Sequence, residues 1–189
     1  AKGGHNAESH NHNDIGTFIL YVDGKPTLVD IGVETYTAKT FSDRRYEIWT
    51  MQSGFHNLPT INGCDQVDGA DHAAAGIDYA TDDNRAMFSM DIASAYPPNA
   101  LVSKWHRTIT HERDVSVVIE DAYQVDRVMG EFILNFITPC SVSIQTGSIT
   151  LGAREFRAGR ESGTATLHFD SDRFEAVTET HPVEDGNLE

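Results

Sequence analysis

Short apolar runs alternate with turn-forming residues along most of the chain, and this pattern restricts the folds that the chain can adopt. Runs rich in Val, Ile, Thr, Phe and Tyr include IGTFILYV, RAMFSMDIA, VSVVIEDAY and GEFILNFITP. Turn signals separate many of the runs, among them Asp23-Gly24, Asn62-Gly63, Asp68-Gly69 and Thr146-Gly147. No long helical period is present, since the nearest candidate, residues 71–84, is short and contains Gly76. The pattern predicts an all-β fold, either a sandwich or a barrel.

Residues 34–56 do not follow the alternating pattern. Their sequence, ETYTAKTFSDRRYEIWTMQSGFH, mixes basic and aromatic residues without a regular period. We interpret the segment as a long loop that can contain a helical turn. Loops of this length in compact domains are usually functional or disordered. The aromatic residues Tyr36, Tyr46 and Trp49 favour a functional loop over a disordered one.

The amino-terminal segment GGHNAESHNHND is dense in histidine and contains no apolar side chain larger than alanine, which is not typical of a core element. If its HNHND part is extended, His10, His12 and Asp14 lie on one face. This arrangement suits a metal site of histidine and carboxylate ligands with an open position. Asn11 and Asn13, on the other face, could then orient the imidazoles. A solvated, histidine-rich surface loop that binds no metal is an equally good interpretation.

Two later residues, Asp30 and His56, could complete such a site. Asp30 interrupts the apolar run TLVDIG, where a buried carboxylate is costly unless it is paired or bound to a metal. It could instead cap the turn that follows, and His56 could simply bond to a backbone carbonyl. A regular hairpin at the DG turn places Asp30 opposite Thr17, on the face away from His12. The spacing alone therefore does not bring the three residues together without a bulge near Gly16.

Composition excludes several classes of protein. A chain of 189 residues fits one domain or two small ones and can bury a sizeable core. No apolar stretch approaches the ~20 residues of a membrane span, and the net charge of −15 argues against a nucleic-acid partner. Cys64 and Cys140 do not form a CxxC pair, so they predict no thiolate zinc site, and Cys140 is expected to be a buried thiol. The first residue is Ala1 instead of Met, which predicts a piece of a larger protein.

Three motifs follow one another in order along the first sixty residues. They are H-x-H-x-D, then D-x-G with its aspartate eighteen residues after the second histidine, then H-N after the loop that bears Tyr and Trp. This order resembles the C-terminal region of the heparinase II/III-like family of polysaccharide lyases. The later runs HRTITHERDVSVVIEDAY and GEFILNFITP are also similar to strands of that family, so the resemblance covers nearly all of the chain. It implies an antiparallel β-sandwich of the supersandwich type, as a single domain over residues 1–189.

The resemblance implies roles for individual residues. His12, Asp30 and His56 correspond to the ligands of a zinc ion, although another divalent metal would suit the same ligands. His10 corresponds to a histidine of the active cleft that is implicated in catalysis or in neutralising charge. The zinc is expected to be structural, since elimination needs no activated water.

The cleft implied by the resemblance also contains a tyrosine between the aspartate and the last histidine. Tyr36 and Tyr46 both qualify, and Tyr46 is preferred because it stands beside Arg45. Arg45 and Asn11 are expected to contact the acidic substrate, although solvated loop charges that bind nothing are a common alternative. The basic residues near these sequences are Lys2, Lys39, Arg44 and Arg45.

The implied reaction is cleavage of a uronic-acid-containing polysaccharide by β-elimination. The carboxylate beside the carbon acid must be neutralised as negative charge develops, and a histidine or tyrosine can remove or return the proton. Much of the cleft is expected on an N-terminal α/α-toroid of the same parent chain, which this sequence lacks. The tail HPVEDGNLE is also expected to stop before a final strand. We therefore expect a C-terminal fragment that is poorly active or inactive alone.

Two other functions fit parts of the sequence. A non-catalytic carbohydrate-binding or assembly module would keep the sandwich and need no metal. A cupin-like metalloenzyme also uses H-x-H on a β-barrel with a glutamate soon after it. In this chain no glutamate follows His12 until Glu34, which weakens the cupin interpretation.

Overall fold

The computed structural model describes residues 1–157 and 159–183. Residues 184–189, most of the HPVEDGNLE tail, lie outside the described residues. The described part of the chain consists of β-strands and short 3₁₀ turns without an α-helix, and its sheets are antiparallel. The prediction of an all-β, antiparallel β-sandwich is confirmed. None of the described helical turns has the length and hydropathy of a membrane-crossing helix.

The chain groups into two compact units, and each is made of two separate segments. Unit 1 contains Ala1–Thr17 and Thr37–Asn135. Unit 2 contains Phe18–Tyr36 and the described part of Phe136–Glu189. The single domain over residues 1–189 that the sequence suggested stays a prediction.

Unit 1 is built around a four-stranded antiparallel sheet. In spatial order its strands are β6 (Ala75–Thr81), β7 (Arg85–Asp91), β8 (Val102–Glu112) and β9 (Ser116–Val125). Two smaller sheets pair β1 (His5–Asn6) with β5 (Gly69–Ala73) and β4 (Pro59–Ile61) with β10 (Phe132–Leu134). The residues that suggested a short helix, 71–84, therefore lie in strands for most of their length.

The core of unit 1 lies against one face of this sheet. Its fully or almost fully buried members include Ile15, Leu58, Ile61, Met90, Ile92, Tyr96 and Trp105. Side chains alternate between the two faces of a strand, so on β8 Trp105 and Arg107 are buried whereas Lys104 is exposed. In the ladder, Arg107 stands between Met90 on β7 and Asp121 on β9. An arginine thus occupies a position of the core-facing row.

Residues 34–56 form the irregular segment that the sequence predicted. Most of it is a succession of single 3₁₀ turns: Ala38–Phe41, Arg45–Glu47, Trp49–Met51 and Ser53–Phe55. Two further 3₁₀ turns, Ala93–Ala95 and Pro98–Ala100, follow β7. The extended conformation considered for residues 10–14 is wrong, since His10 is left-handed with φ of 60° and no strand covers this segment. The local reason is a turn, in which the Asn11 amide donates to the Glu8 carbonyl.

Unit 2 consists of small antiparallel sheets. Their strands are β2 (Leu20–Val22) with β3 (Lys25–Leu28), β11 (Ser141–Gln145) with β12 (Ser148–Gly152) and β15 (Ala165–His168), and β13 (Glu155–Arg157) with β14 (Arg160–Glu161). The β2–β3 register shifts by one residue between Leu20 and Tyr21, so the irregularity lies further along the chain than Gly16. Cys140 is a buried thiol, as predicted.

Three of the four predicted turns are found. Asp23-Gly24 and Asn62-Gly63 have positive φ at both residues, 52° and 74° in the first and 52° and 71° in the second, as tight hairpin turns require. Thr146-Gly147 connects β11 to β12, with Gly147 at φ of 74°. The turn predicted at Asp68-Gly69 is wrong, because Gly69 begins β5 instead.

Candidate functional site

His12 and His56 are buried next to each other in unit 1. Their exposed fractions are 8% and 0%, and Nδ1 of His12 lies 3.4 Å from Nε2 of His56. The rings meet edge to face, with 5.3 Å between their centroids. Buried polar atoms need partners, and two ring nitrogens that face each other require a proton or a cation between them.

Loop contacts position the two histidines, since neither residue lies in a strand. The amide of Asn13 donates to the carbonyl of Met51 at 2.9 Å, which ties the His12 segment to the 3₁₀ turns. The His56 amide donates to the carbonyl of Ser53 at 3.1 Å and so closes the last of these turns. The backbone of both segments is thus hydrogen-bonded within the loop region.

The Gln66 side chain hydrogen-bonds to the backbone of the segment that carries His12, as a neighbouring strand would. Its side-chain Oε1 accepts from the Ile15 amide at 3.0 Å and its Nε2 donates to the Ile15 carbonyl at 2.7 Å. The side chain is 4% exposed, and Asn6 and Asn13 also bond to Gln66. A buried amide therefore satisfies backbone groups that no sheet ladder reaches.

Asp30 follows β3 and caps a turn, since its Oδ1 accepts from the amide of Gly32 at 2.8 Å. This is the capping role that the sequence left open. Asp30 also belongs to a group with His12 and His56 that could hold a metal ion, because one ligand atom of each residue lies within 4.8 Å of the others. Capping and metal binding are compatible, since a carboxylate has two oxygens and several lone pairs.

The two imidazoles fit a tetrahedral metal ion. Zinc binds histidine nitrogen at about 2.0–2.1 Å, and tetrahedral geometry then separates two such nitrogens by about 3.3 Å. The observed 3.4 Å between His12 Nδ1 and His56 Nε2 matches this value. His56 Nε2 also lies 3.2 Å from the Thr50 carbonyl oxygen, so metal binding there requires the tautomer that carries its proton on Nδ1. Two imidazoles and one carboxylate are a common donor set for zinc.

Asn11, Arg45 and Tyr46 form a second cluster. Its first member, Asn11, directly precedes His12 in the sequence. Arg45 donates through Nε and Nη2 to the Asn11 carbonyl, at 3.0 and 2.9 Å, and through Nη1 to the Thr40 carbonyl at 3.0 Å. The Asn11 side chain donates to the Tyr46 hydroxyl at 3.5 Å. Three residues predicted for the cleft are thus brought together. Arg45 uses three of its five N–H groups in this way.

Comparison with known proteins adds the family. A family model described as "Heparinase II/III-like, C-terminal" matches residues 1–187. The chain belongs to the heparinase II/III-like family. This confirms the resemblance, and it places the chain in a family of heparinase-like polysaccharide lyases. A comparison with curated proteins gives no match.

Three of the four basic residues near the predicted cleft of this heparinase-like domain, Lys2, Lys39 and Arg44, have acidic partners. Lys2 pairs with Asp14. Lys39 and Arg44 both pair with Glu47, at 3.2 and 2.7 Å. The hydrogen bonds from Arg44 and Lys39 lower the pKa of Glu47 to about 2, and Glu47 raises the pKa of Arg44 in turn. Arg45 differs from these three, since its partners are the backbone carbonyls described above.

His10 and Tyr36 are exposed, unlike Asn11, Arg45 and Tyr46. His10 is exposed and left-handed, directly before the buried Asn11. Tyr36 is 47% exposed and belongs to unit 2, whereas Tyr46 is half-buried in unit 1. The side chains of Asn11 and Asn13 bond to Tyr46 and Gln66 among others, and their role in orienting the His12 ring stays a prediction. The geometry therefore favours Tyr46 over Tyr36 as the partner of Asn11.

Sequence reasoning missed three buried polar residues that support this site, namely Gln66, Arg107 and Asp121. Gln66 gives no local signal, because its partners are about fifty positions away in sequence. Arg107 and Asp121 do give a signal. Both stand on core-facing positions of adjacent strands, where an isolated charge is costly but a pair is tolerated.

Proposed function

We propose that this chain is the zinc-binding β domain of a lyase that cleaves uronic-acid-containing polysaccharide by β-elimination. The observation that carries the proposal is the family match over residues 1–187. The group of His12, Asp30 and His56 and the cluster around Tyr46 support it. The family match supports the proposed reaction class, and these side chains supply the candidate chemistry.

The zinc ion is proposed to be structural. When bound, it would supply a fixed cross-link among His12, Asp30 and His56. The supporting observation is the burial of both histidines, which leaves little room for a water nucleophile. Elimination does not consume water, so the proposed reaction does not need one.

The proposed elimination consists of two proton transfers and the cleavage of the glycosidic C–O bond. A base takes the proton from the carbon next to the uronate carboxylate, a carbon–carbon double bond forms, and the glycosidic C–O bond breaks. The leaving oxygen then receives a proton. We assign these two proton transfers to His10 and Tyr46, since imidazole and phenol groups perform general acid–base catalysis.

Negative charge develops at the uronate carboxylate during this step, and positive charge or hydrogen-bond donors there lower the barrier. Arg45 and Asn11 are the proposed donors. Arg45 has two N–H groups beyond its backbone bonds, and arginine is suited to binding a carboxylate through such groups. Asn11 is 4% exposed, so its proposed contribution passes through the Tyr46 hydroxyl that it holds.

The chain is proposed to act together with an N-terminal α/α-toroid of a larger parent chain. The matched family model describes a C-terminal domain, which supports a further part of the enzyme. Residues of that part would complete the cleft. The chain alone is therefore proposed to bind metal but to cleave poorly.

The test is a lyase assay on the parent protein and on this chain, with several uronate polysaccharides as substrates. The double bond of the product absorbs ultraviolet light, which reports elimination directly. We expect rapid product formation by the parent, little or none by this chain alone, and a parental rate about 10²–10⁴-fold lower after His10→Ala or Tyr46→Phe. His111→Ala, an exposed histidine on β8, is the control and should keep the parental rate. A parent that binds the glycans without forming unsaturated product would instead be a carbohydrate-binding protein.

A further inference from the structure

Arg107 and Asp121 form a buried ion pair across the β8–β9 ladder. Their side chains are 3% and 10% exposed. Arg107 Nε donates to Oδ1 of Asp121 at 2.9 Å and Nη2 donates to Oδ2 at 2.8 Å. This two-bond geometry fixes the plane of the guanidinium group. The pair is therefore a rigid feature of the sheet.

The third nitrogen of Arg107 reaches two loops. Its Nη1 donates to the Asn57 carbonyl at 2.8 Å and to the Gly16 carbonyl at 3.2 Å. Asn57 directly follows His56, and Gly16 is four residues after His12. One guanidinium group thus bonds to both of the segments that carry the buried histidines.

We propose that Arg107, oriented by Asp121, is a positioning residue that sets the separation between the His12 and His56 segments. The inference rests on the metal site of the proposed function, and it deepens that site by naming the residue that pre-organises it. Neither histidine segment is part of the sheet, and the Arg107 side chain is a rigid polar link from the sheet to both of them.

Arginine suits this role better than lysine for a geometric reason. A lysine ammonium carries its charge at a single atom and cannot hold a carboxylate by two parallel bonds while a third nitrogen points elsewhere. Replacing Arg107 with lysine keeps the buried charge and removes the fixed direction. The variant Arg107→Lys therefore separates positioning from charge.

The first test is hydrogen exchange in metal-free protein. The amides of Asn13 and Leu58, which donate to Met51 and His56 carbonyls, report on the two histidine segments. We expect Arg107→Lys to speed their exchange at least tenfold while the amides of the β8–β9 ladder exchange as in the wild type. Unchanged exchange at Asn13 and Leu58 would overturn the proposal, and so would an equal increase throughout the sheet.

Two further variants make this test decisive. Asp121→Asn keeps the shape of the partner and removes its charge, and it should produce a smaller increase at the same two amides. If Arg107→Lys does not fold, Asp121→Asn takes its place as the test variant. Arg85→Lys is the matched control, since Arg85 pairs with Glu112 across the neighbouring ladder at 3.1 Å and has no hydrogen bond to either histidine segment. It should leave exchange at Asn13 and Leu58 unchanged.

The second test is zinc affinity, measured by competition with a chromophoric chelator. Groups that orient metal ligands typically contribute about 10–100-fold to affinity, so we expect Arg107→Lys to bind zinc at least tenfold more weakly than the wild type and Arg85→Lys. Wild-type affinity in Arg107→Lys would overturn the positioning role. Failure of the wild type itself to bind zinc would contradict the proposed function, and the exchange test would still decide whether Arg107 positions the two segments.

Discussion

At the scale of single residues, the most informative feature is the pair of imidazoles at 3.4 Å. If both facing nitrogens carried a hydrogen they would repel each other, and if both presented a lone pair they would repel as well. One shared proton gives only a long hydrogen bond. A divalent cation accepts both lone pairs, so metal binding should stabilise the fold around this pair.

Chelation provides the first prediction at this scale. A ligand that binds only the folded state at 100 times its Kd contributes about 2.7 kcal/mol, which for a chain of this size raises Tm by roughly 5–10 °C. We expect this difference between zinc-loaded and chelator-treated wild type in calorimetry. His56→Ala should remove the difference, whereas His111→Ala should retain it. The same Tm for wild type with zinc and with chelator would count against the site.

Tyr96 gives a prediction for alkaline pH. Its hydroxyl donates to the Pro59 carbonyl inside the core, and burial raises its pKa above the usual value. An unfolded tyrosine ionises near pH ~10 while the folded one stays protonated. Unfolding therefore releases a proton above that pH, and stability is lost as the pH rises through it.

The variant Tyr96→Phe should consequently show a shallower decline in the free energy of unfolding between about pH 9 and pH 11. At neutral pH it should lose about 1 kcal/mol, because the Pro59 carbonyl loses its donor. Urea titrations at several pH values measure both effects. Tyr79→Phe, at a tyrosine that is 63% exposed, is the control. Equal slopes in wild type and Tyr96→Phe would contradict the assignment.

Sequence reasoning at this scale found the candidate ligands but not their supports. His12, Asp30 and His56 were identified from ordered motifs through a family resemblance, and the geometry groups them. Spacing alone could not do so, because the separation of the two histidines depends on contacts from Gln66 and Arg107. Those contacts join residues that are far apart in sequence, and no local pattern records them.

At the scale of elements, the segment that carries His12 contains a position, Gly16, that requires glycine. Its φ is 89°, in the left-handed region that favours glycine. An added Cβ would lie 2.9 Å from Cγ2 of Ile92, a core residue at 0% exposure. Gly16 thus combines a backbone requirement with a close approach to the core.

We expect Gly16→Ala to lower the free energy of unfolding by roughly 2–4 kcal/mol, from backbone strain and overpacking together. Gly24→Ala is the matched control, because Gly24 has φ of 74° and open space around it. That variant should show only the strain, about 1–2 kcal/mol. Urea denaturation gives both values, and equal losses would show that the contact with Ile92 is unimportant.

Local signals predicted some elements and failed for others for clear reasons. Asp23-Gly24 and Asn62-Gly63 were correct because a two-residue hairpin turn needs positive φ at both positions, and these residue pairs supply it. Asp68-Gly69 has the same two residues as Asp23-Gly24, but its glycine begins β5 because Gly69 pairs with Asn6. That pairing lies more than sixty positions away in sequence and overrides the local preference.

At the scale of the whole molecule, the all-β class follows from period-two alternation, which is a local property. The grouping into two units does not, because it depends on long-range bonds such as that from the Val29 amide to the Ile137 carbonyl. The cleft residues assigned by resemblance are the part that an assay must decide. The metal site is the central claim, and it can be tested on this chain alone.

The most direct measurement is the metal content of the purified chain by elemental mass spectrometry, for the wild type and for His12→Ala, Asp30→Ala and His56→Ala. We predict about one zinc per folded wild-type chain and its loss in each of the three variants. His111→Ala should keep the metal. A folded wild type without stoichiometric metal, or variants that retain it, would contradict the proposed ligand set.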